Sequence, residues 1–506
     1  MKKNLLLLLC FITTYMVSSA QQPVVLSKGI SKTNINVRGA AVVLEQQSIY
    51  IPTAGKVIVH FDGQAYASAG DRIVLAASNT TTWGVNDGNV TIEAFNADIR
   101  QKSFSHTRVY NVAPGIRTFY AVAQNYVEEE GTGYASIYGN LTVEYYPTTA
   151  ASFVQRQGIS KTNINVRGSA VVVGQQTIYP TVAGKVIVHF DGLAISTVGD
   201  RIVLAASNLP TWGVNDGNVG VRAQSADVNQ NSFSHTRVYN VNAGSQTFYA
   251  VAENYVNTAG TGIASIYGNL TVEFIPNGTQ HTVAIAPISQ TGINVRGSAV
   301  TVGQRTIYVP VSGKVIVHFD GQVFSTPGDR IVLAASNTTN WGVNDGSVGV
   351  EVPAADRNTN SFSHTRVYSI GAGFHTFYAI AQNYVETAGT GIASIYGALT
   401  VTFVPNTISA APEQVAVVET ESVIADNEFQ VYPNPAVDEL TISYLTKTTG
   451  FYTVKIIDQT GRIVKTIITE GSNEKSTIDI SSLSQGLYFV SLTTGDKVIT
   501  KKLIKN

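Results

Sequence analysis

Of 506 residues only one is cysteine, Cys10, so beyond that point no disulfide framework, thiolate metal site or cysteine nucleophile can be built. Charge is sparse too: 13% of residues are charged and the net charge is −1. No bulk field attracts nucleic acid or an anionic membrane. Tryptophan occurs three times. No apolar run reaches the roughly 20 residues that a spanning helix needs. No helical stripe extends beyond a turn or two. G-x-S-x-G, H-E-x-x-H, the P-loop and metal-spaced Cys/His clusters are all missing, so no common catalytic constellation is present and a non-enzyme is expected. No cofactor is expected either. What remains is a globular composition, 44% hydrophobic, with 44 glycines to supply tight turns.

The first twenty residues read as a secretory signal. Lys2 and Lys3 form a positive start, Leu5 to Val17 an apolar core, and Ser18 and Ala20 a small-residue cleavage site before Gln21. Cys10 lies inside that core and is followed by Phe11, which does not suit lipoprotein processing. The mature chain is then exported and free of cysteine, so its folds must rest on packed cores.

Internal repetition dominates the rest. SFSHTRVY stands at 103–110, 232–239 and 361–368. KVIVHFDG stands at 56–63, 185–192 and 314–321, and WGVNDG at 83–88, 212–217 and 341–346. Every offset is 129 residues, without insertion. That period is too long for solenoid units of about 20–50 residues, so each copy is a domain. The boundaries are 21–149, 150–278 and 279–407.

Within a copy the dominant period is two. In KVIVHF, Val57, Val59 and Phe61 share one face, while Ile58 and His60 share the other. Turn residues interrupt at regular intervals. Eight strands are expected, near 34–44, 47–52, 56–66, 71–78, 90–95, 103–112, 116–126 and 133–146. The fold class is all-β: three antiparallel sandwiches, jelly-roll-like, and then a smaller one. The segment IPTAGKVIVHFDG, the long central strands, the APG turn and the closing ASIYGNLTVEYYP together resemble the C1q/tumour-necrosis-factor jelly roll. That family assembles as trimers. The resemblance therefore implies that three fused copies close around a pseudo-threefold axis, if the connections 148–157 and 277–286 reach. Ten residues span at most about 33–36 Å. The rival arrangement, beads on a string, is slightly favoured by the ordinary look of TTAASFVQRQ.

After Pro405 the texture changes. Residues 408–427 read as a linker. Residues 428–506 carry an ordered set: Tyr432, Pro433, Asn434 and Pro435; a strand leading to Gly461 and Arg462; a D-x-S-x-L-x-x-G-x-Y block with Gly486 and Tyr488; and a basic strand at the end. This set resembles the type A C-terminal sorting domain of the type IX secretion system. The resemblance implies a seven-stranded sandwich that engages the type IX machinery and a Bacteroidetes-type host. It also implies cargo carried across the outer membrane, then released or attached to the surface. The two prolines are expected to hold the first strand of this module extended.

Two stretches of each repeat are candidate ligand sites. In SFSHTRVY, alternation puts Phe104, His106, Arg108 and Tyr110 on one face, as it does His235, Arg237 and Tyr239, and His364, Arg366 and Tyr368. Such a face can hydrogen-bond a sugar or stack one on tyrosine, or it can simply be a solvated strand. In WGVNDG the candidates are Trp83, Asn86 and Asp87, then Trp212, Asn215 and Asp216, then Trp341, Asn344 and Asp345. Asn-Asp-Gly is first of all a turn; a sugar platform or a Ca²⁺ site with Asp62 and Asp71 are the alternatives. Asp62, Asp71 and Asp87 are also the carboxylates from which a glycosidase pair would have to come. The function expected is an exported multivalent binding or adhesion protein, its three copies giving avidity for a glycan or surface ligand. A structural spacer and, more remotely, a polysaccharide-degrading enzyme are the rivals.

Overall fold

The computed structural model describes residues 23–83, 88–94, 101–126, 131–211, 217–223, 225–226, 229–255, 260–340, 346–352, 359–384, 389–406, 429–444, 451–458, 463–470, 475–494 and 497–506. The signal segment and the linker expected at 408–427 lie outside them. The chain divides into two compact units, one holding all three repeats and one holding the tail.

Among its described residues the first repeat has eight strands: β1 (Val24–Asn36), β2 (Val42–Ile51), β3 (Gly55–Ala67), β4 (Arg72–Ser78), β5 (Val90–Glu93), β6 (Gln101–Val112), β7 (Gly115–Asn125) and β8 (Tyr134–Pro147). The second repeats them from β9 (Phe153–Asn165) to β16 (Ile263–Pro276), the third from β17 (Thr282–Asn294) to β24 (Ile392–Pro405). The first boundary differs from the sequence expectation. β1 starts at Val24, and the chain turns at Arg38-Gly39 where a strand over 34–44 was expected; Gly39 has φ +83°, which a strand cannot use.

Each repeat is an antiparallel two-layer sandwich. One sheet has the order β1-β8-β3-β6, the other β2-β7-β4-β5, and the other repeats copy both. This interleaving is a jelly roll. Period-two residues fill the space between the layers: Val57, Val59, Phe61, Leu75, Phe104, Phe119, Leu141 and Val143 are all buried. Gly63 and Gly139 face each other across β3 and β8, where the strands leave no room for a side chain. A Cβ on Gly63 would stand 2.1 Å from the Tyr138 carbonyl oxygen, and one on Gly139 equally close to that of Asp62.

The three repeats are not beads. Ser105 N–H donates to Ser232 Oγ at 3.2 Å, Ser234 N–H to Ser361 Oγ at 3.2 Å, and Ser363 N–H to Ser103 Oγ at 3.1 Å. The first copy thus meets the second, the second the third and the third the first, closing a ring through one heterologous contact used three times. Apolar clusters seal the same joints. Val154 packs on Ile58 and Tyr146, Val283 on Ile187 and Ile275, and Val25 on Ile316 and Val404. The start of each repeat lies against the neighbouring one, so short connections suffice.

Among the described residues the tail unit is a sandwich of seven strands: β25 (Phe429–Tyr432), β26 (Glu439–Tyr444), β27 (Phe451–Asp458), β28 (Ile463–Glu470), β29 (Lys475–Asp479), β30 (Gly486–Thr494) and β31 (Lys497–Lys505). Its sheets run β25-β26-β29 and β28-β27-β30-β31, over a core including Leu440, Val454, Ile478 and Leu503.

Candidate functional site

The repeated SFSHTRVY lies on β6 and its equivalents, and both of its faces are buried. Phe104, His106 and Tyr110 point into their own sandwich. Phe104 packs edge-on against Phe61. His106 Nδ1 accepts the Ala77 N–H at 2.9 Å, as His235 does from Ala206 and His364 from Ala335. Tyr110 O–H donates to the Ala77 carbonyl, with Tyr239 and Tyr368 matching it on Ala206 and Ala335. These residues tie the two layers together, so the ligand face expected there is interior. Arg108 and Arg366 reach the next copy, donating to Asn269 and Asn140 Oδ1 at 3.4 and 3.2 Å. Arg237 is flanked differently, because the third copy has Ala398 at that position.

The WGVNDG candidates fall largely outside the described residues: Asn86, Asp87, Trp212, Asn215, Asp216, Trp341, Asn344 and Asp345. Trp83 is half-buried and donates from Nε1 to Gln124 Oε1 at 2.5 Å. Gly88 comes beside β6: a Cβ there would stand 3.7 Å from His106 Nε2. Asp71 is buried and accepts from Asn125 Nδ2 at 2.7 Å and the Gly133 N–H at 2.9 Å, so it clamps a loop. Asp62 lies 1% exposed at a joint between copies. Neither stands in an open cleft of the kind a glycosidase pair needs.

What the structure assembles instead is a polar ring on the axis. β3 and its equivalents bring His60, His189 and His318 together, with ring centroids 5.3–5.4 Å apart and each pair edge-on. Their Nδ1 atoms lie 2.6, 2.7 and 2.7 Å from the hydroxyls of Thr107, Thr236 and Thr365 on the β6-type strands. Thr236 in turn donates to Asp320 Oδ2 and Thr365 to Asp62 Oδ2, both at 2.7 Å. A hydroxyl has one proton, so those two threonines must accept from Nδ1–H of His189 and His318. That fixes the tautomer and leaves the lone pair on Nε2.

Each Nε2 faces an aspartate of its own copy: His60 to Asp62 at 3.6 Å, His189 to Asp191 at 3.6 Å and His318 to Asp320 at 3.3 Å. Burial opposes ionisation of Asp62, but His60 and its neighbours outweigh burial and hold the carboxyl down at about 2. Asp191 and Asp320 are lowered in the same way, through His189 and His318. Burial likewise opposes charge on His60, and the three aspartates overcome it and raise its pKa.

These rings line a cavity of about 80 Å³ shared by the three copies, walled by Ile58, Ile187 and Ile316 and by Glu144 and Glu273. The Tyr146 hydroxyl lies 2.5 Å from Glu273 Oε1 and 3.2 Å from Glu144 Oε2. Its single proton serves one carboxylate, so the second contact needs a proton on a carboxyl. Burial, which dominates, pushes Glu144 up to about 7 and Glu273 up to about 8.

In the tail, Tyr432 closes β25 and Pro433-Asn434-Pro435 follow it as a turn, so the prolines end that strand rather than extend it. Asn434 Oδ1 accepts the Ile504 N–H at 2.9 Å, fastening the turn to β31. Gly486 opens β30, and Tyr488 is buried with its hydroxyl on the Ser484 carbonyl at 2.9 Å. Gly461 and Arg462 lie outside the described residues. Residues 430–506 match the family model described as a secretion system C-terminal sorting domain. They are a type IX secretion sorting domain. The sorting domain means that the protein engages the type IX machinery and is exported across the outer membrane, to the cell surface or beyond it. Among the described residues no helix is long and apolar enough to cross a membrane.

No curated protein matches the chain. Among solved structures it overlaps a β-glucuronidase of Faecalibacterium prausnitzii at 11% identity and TM-score 0.14, over 40% of this chain, and it spans only 36% of that enzyme's length. It overlaps PNGase F, a glycosylasparaginase of Flavobacterium meningosepticum, at 7% identity and TM-score 0.24, over 50% of this chain and 96% of that one. A third overlap is with the triple jelly-roll fold of an archaeal virus turret, at 12% identity and TM-score 0.18, over 76% and 89%. At such scores these overlaps carry no argument.

Proposed function

We propose that the exported protein is a single-chain, trimer-like binding body that presents one outer surface three times to a glycan or other surface ligand. The closed ring of three repeats carries this reading. Copies packed side by side do not add length, which disfavours a spacer. They do hold equivalent outer surfaces in fixed relation, so that later contacts become intramolecular and weak sites gain avidity. The sheet order with β1, β8, β3 and β6 toward the axis also supports the C1q/tumour-necrosis-factor-like reading of each repeat.

The residues best suited to meet a ligand are ones the sequence motifs did not mark. Tyr50, Tyr179 and Tyr308 stand at or just past the ends of the β2-type strands and are 50%, 71% and 59% exposed. An exposed tyrosine, with its aromatic ring and polar tip, suits stacking on a sugar ring. Binding of the purified protein to immobilised glycans and to whole cells tests the proposal. The expected result is saturable binding that falls at least about tenfold when Tyr50, Tyr179 and Tyr308 are all changed to Ala. Binding that ignores these changes, or no binding to any surface, contradicts it.

A further inference from the structure

The axial ring has a feature that its internal hydrogen bonds leave open. The Nε2 atoms of His60, His189 and His318 are buried and have no hydrogen-bond partner, and neither does Oδ1 of Asp62 or Asp191. The histidines are only 7–9% exposed and line the shared cavity. With Nδ1–H of His189 and His318 committed to threonine, their Nε2 atoms turn a lone pair to Asp191 and Asp320, and His60 Nε2 faces Asp62 in the same way. Two electron-rich atoms face each other only when something positive lies between them.

The spacing discriminates between a proton and a metal ion. A charge-assisted N–H···O bond closes to about 2.7–2.9 Å. The gaps here are 3.3–3.6 Å. Nitrogen and oxygen on one tetrahedral cation, each about 2.1 Å from it, stand about 3.4 Å apart. The ligating atoms of His60, Asp62 and His318 all lie within 4.8 Å of one another. The same holds for His60, His189 and Asp191, and for His189, His318 and Asp320.

We propose that the axis binds one divalent cation of the zinc type, through Nε2 of two or three of these histidines and a carboxylate oxygen of Asp62, Asp191 or Asp320. The donor set favours zinc, cobalt, nickel or copper over calcium, which takes six or more oxygens. Stoichiometry follows from the ring. Every candidate set uses two histidines, each with one free nitrogen, so three histidines serve one ion per chain. The second layer is in place: threonines fix the tautomer of His189 and His318, and Ser234 Oγ–H on Asp320 and Ser363 Oγ–H on Asp62, at 2.9 and 3.3 Å, orient the carboxylates. Because each candidate set draws its ligands from two copies, the ion would staple neighbouring copies together at the centre of the ring.

The purified chain, stripped with chelator and dialysed against Zn²⁺, tests this by elemental analysis and X-ray absorption at the zinc edge. The result expected is one zinc per chain with imidazole scattering around it, and a melting temperature raised by zinc but not by Ca²⁺. His189→Gln should lower the zinc retained at least about tenfold, while His375→Gln, at a half-buried histidine away from the axis on β23 (Gly373–Asn383), leaves it unchanged. A parent chain that keeps no zinc overturns the proposal. So does zinc without imidazole neighbours, which reads out even if the axial variant fails to fold.

Discussion

At the level of His60, His189 and His318 each copy places the same residue, the same aspartate and the same threonine on the axis, whereas at the level of Glu144 and Glu273 the third copy has Thr402. The two levels differ in what symmetry costs. Around the histidines, each copy's aspartate takes a serine hydroxyl from its neighbour, and Asp62 and Asp320 take a threonine hydroxyl as well, so equivalent contributions complement one another. Around the glutamates, identical contributions would bring three carboxyls into one apolar-walled cavity. Like charges there repel and lose their hydration. The chain has two, joined through Tyr146, which has no tyrosine equivalent in the other copies: Ile275 and Val404 stand in its place. A homotrimer could not make that substitution on one subunit alone; a fused chain can.

The largest way to break the comparison is at the histidine level. Asp62→Ala removes the acceptor for Ser363 and Thr365 and the charge facing His60, all in a buried joint. A loss of about 3–5 kcal/mol is expected, read by chemical denaturation. The glutamate level should respond more weakly and to pH. Glu144 and Glu273 have folded pKa values of about 7 and 8 against an ordinary 4.5, so the folded state keeps protons that the unfolded chain releases. Their contribution to stability is therefore full below about pH 4.5 and is lost progressively as pH rises from there through 7 and 8. Glu144→Gln with Glu273→Gln should flatten that fall and leave the variant roughly 1–3 kcal/mol more stable than the parent at pH 9. The smallest test restores symmetry where it is missing: Ala398→Asn should supply Arg237 with the amide that Asn269 gives Arg108. It should also donate to the Thr236 carbonyl as Asn269 does to that of Thr107, for a gain of about 1 kcal/mol in thermal or denaturant unfolding.

Much of the fold can be read from residue order alone. The offset of 129, the period of two and the turn residues define three copies of eight strands, and the sorting domain is legible because its markers form an ordered set. The ring is not legible, for a physical reason. Ile58, His60 and Asp62 alternate onto one face of β3, and that pattern of apolar, polar and charged residues is the same whether the face meets water or another copy. The same ambiguity made Phe104, His106 and Tyr110 look like an outward ligand face, when they bridge the layers and the serines and threonines between them meet the neighbour. One cue was present. Small hydroxyls at 103, 105 and 107, opposite a histidine and an aspartate, are what a tight polar joint needs; a solvated strand has no reason to keep its side chains that short.

The central claim is that three repeats close into one body. Small-angle X-ray scattering on residues 21–407, without the tail, tests it most directly. The account predicts a monomer with a radius of gyration of about 21 Å, the value for a globule of that length. A radius of roughly 30 Å or more, as three such domains in a row would give, would contradict it.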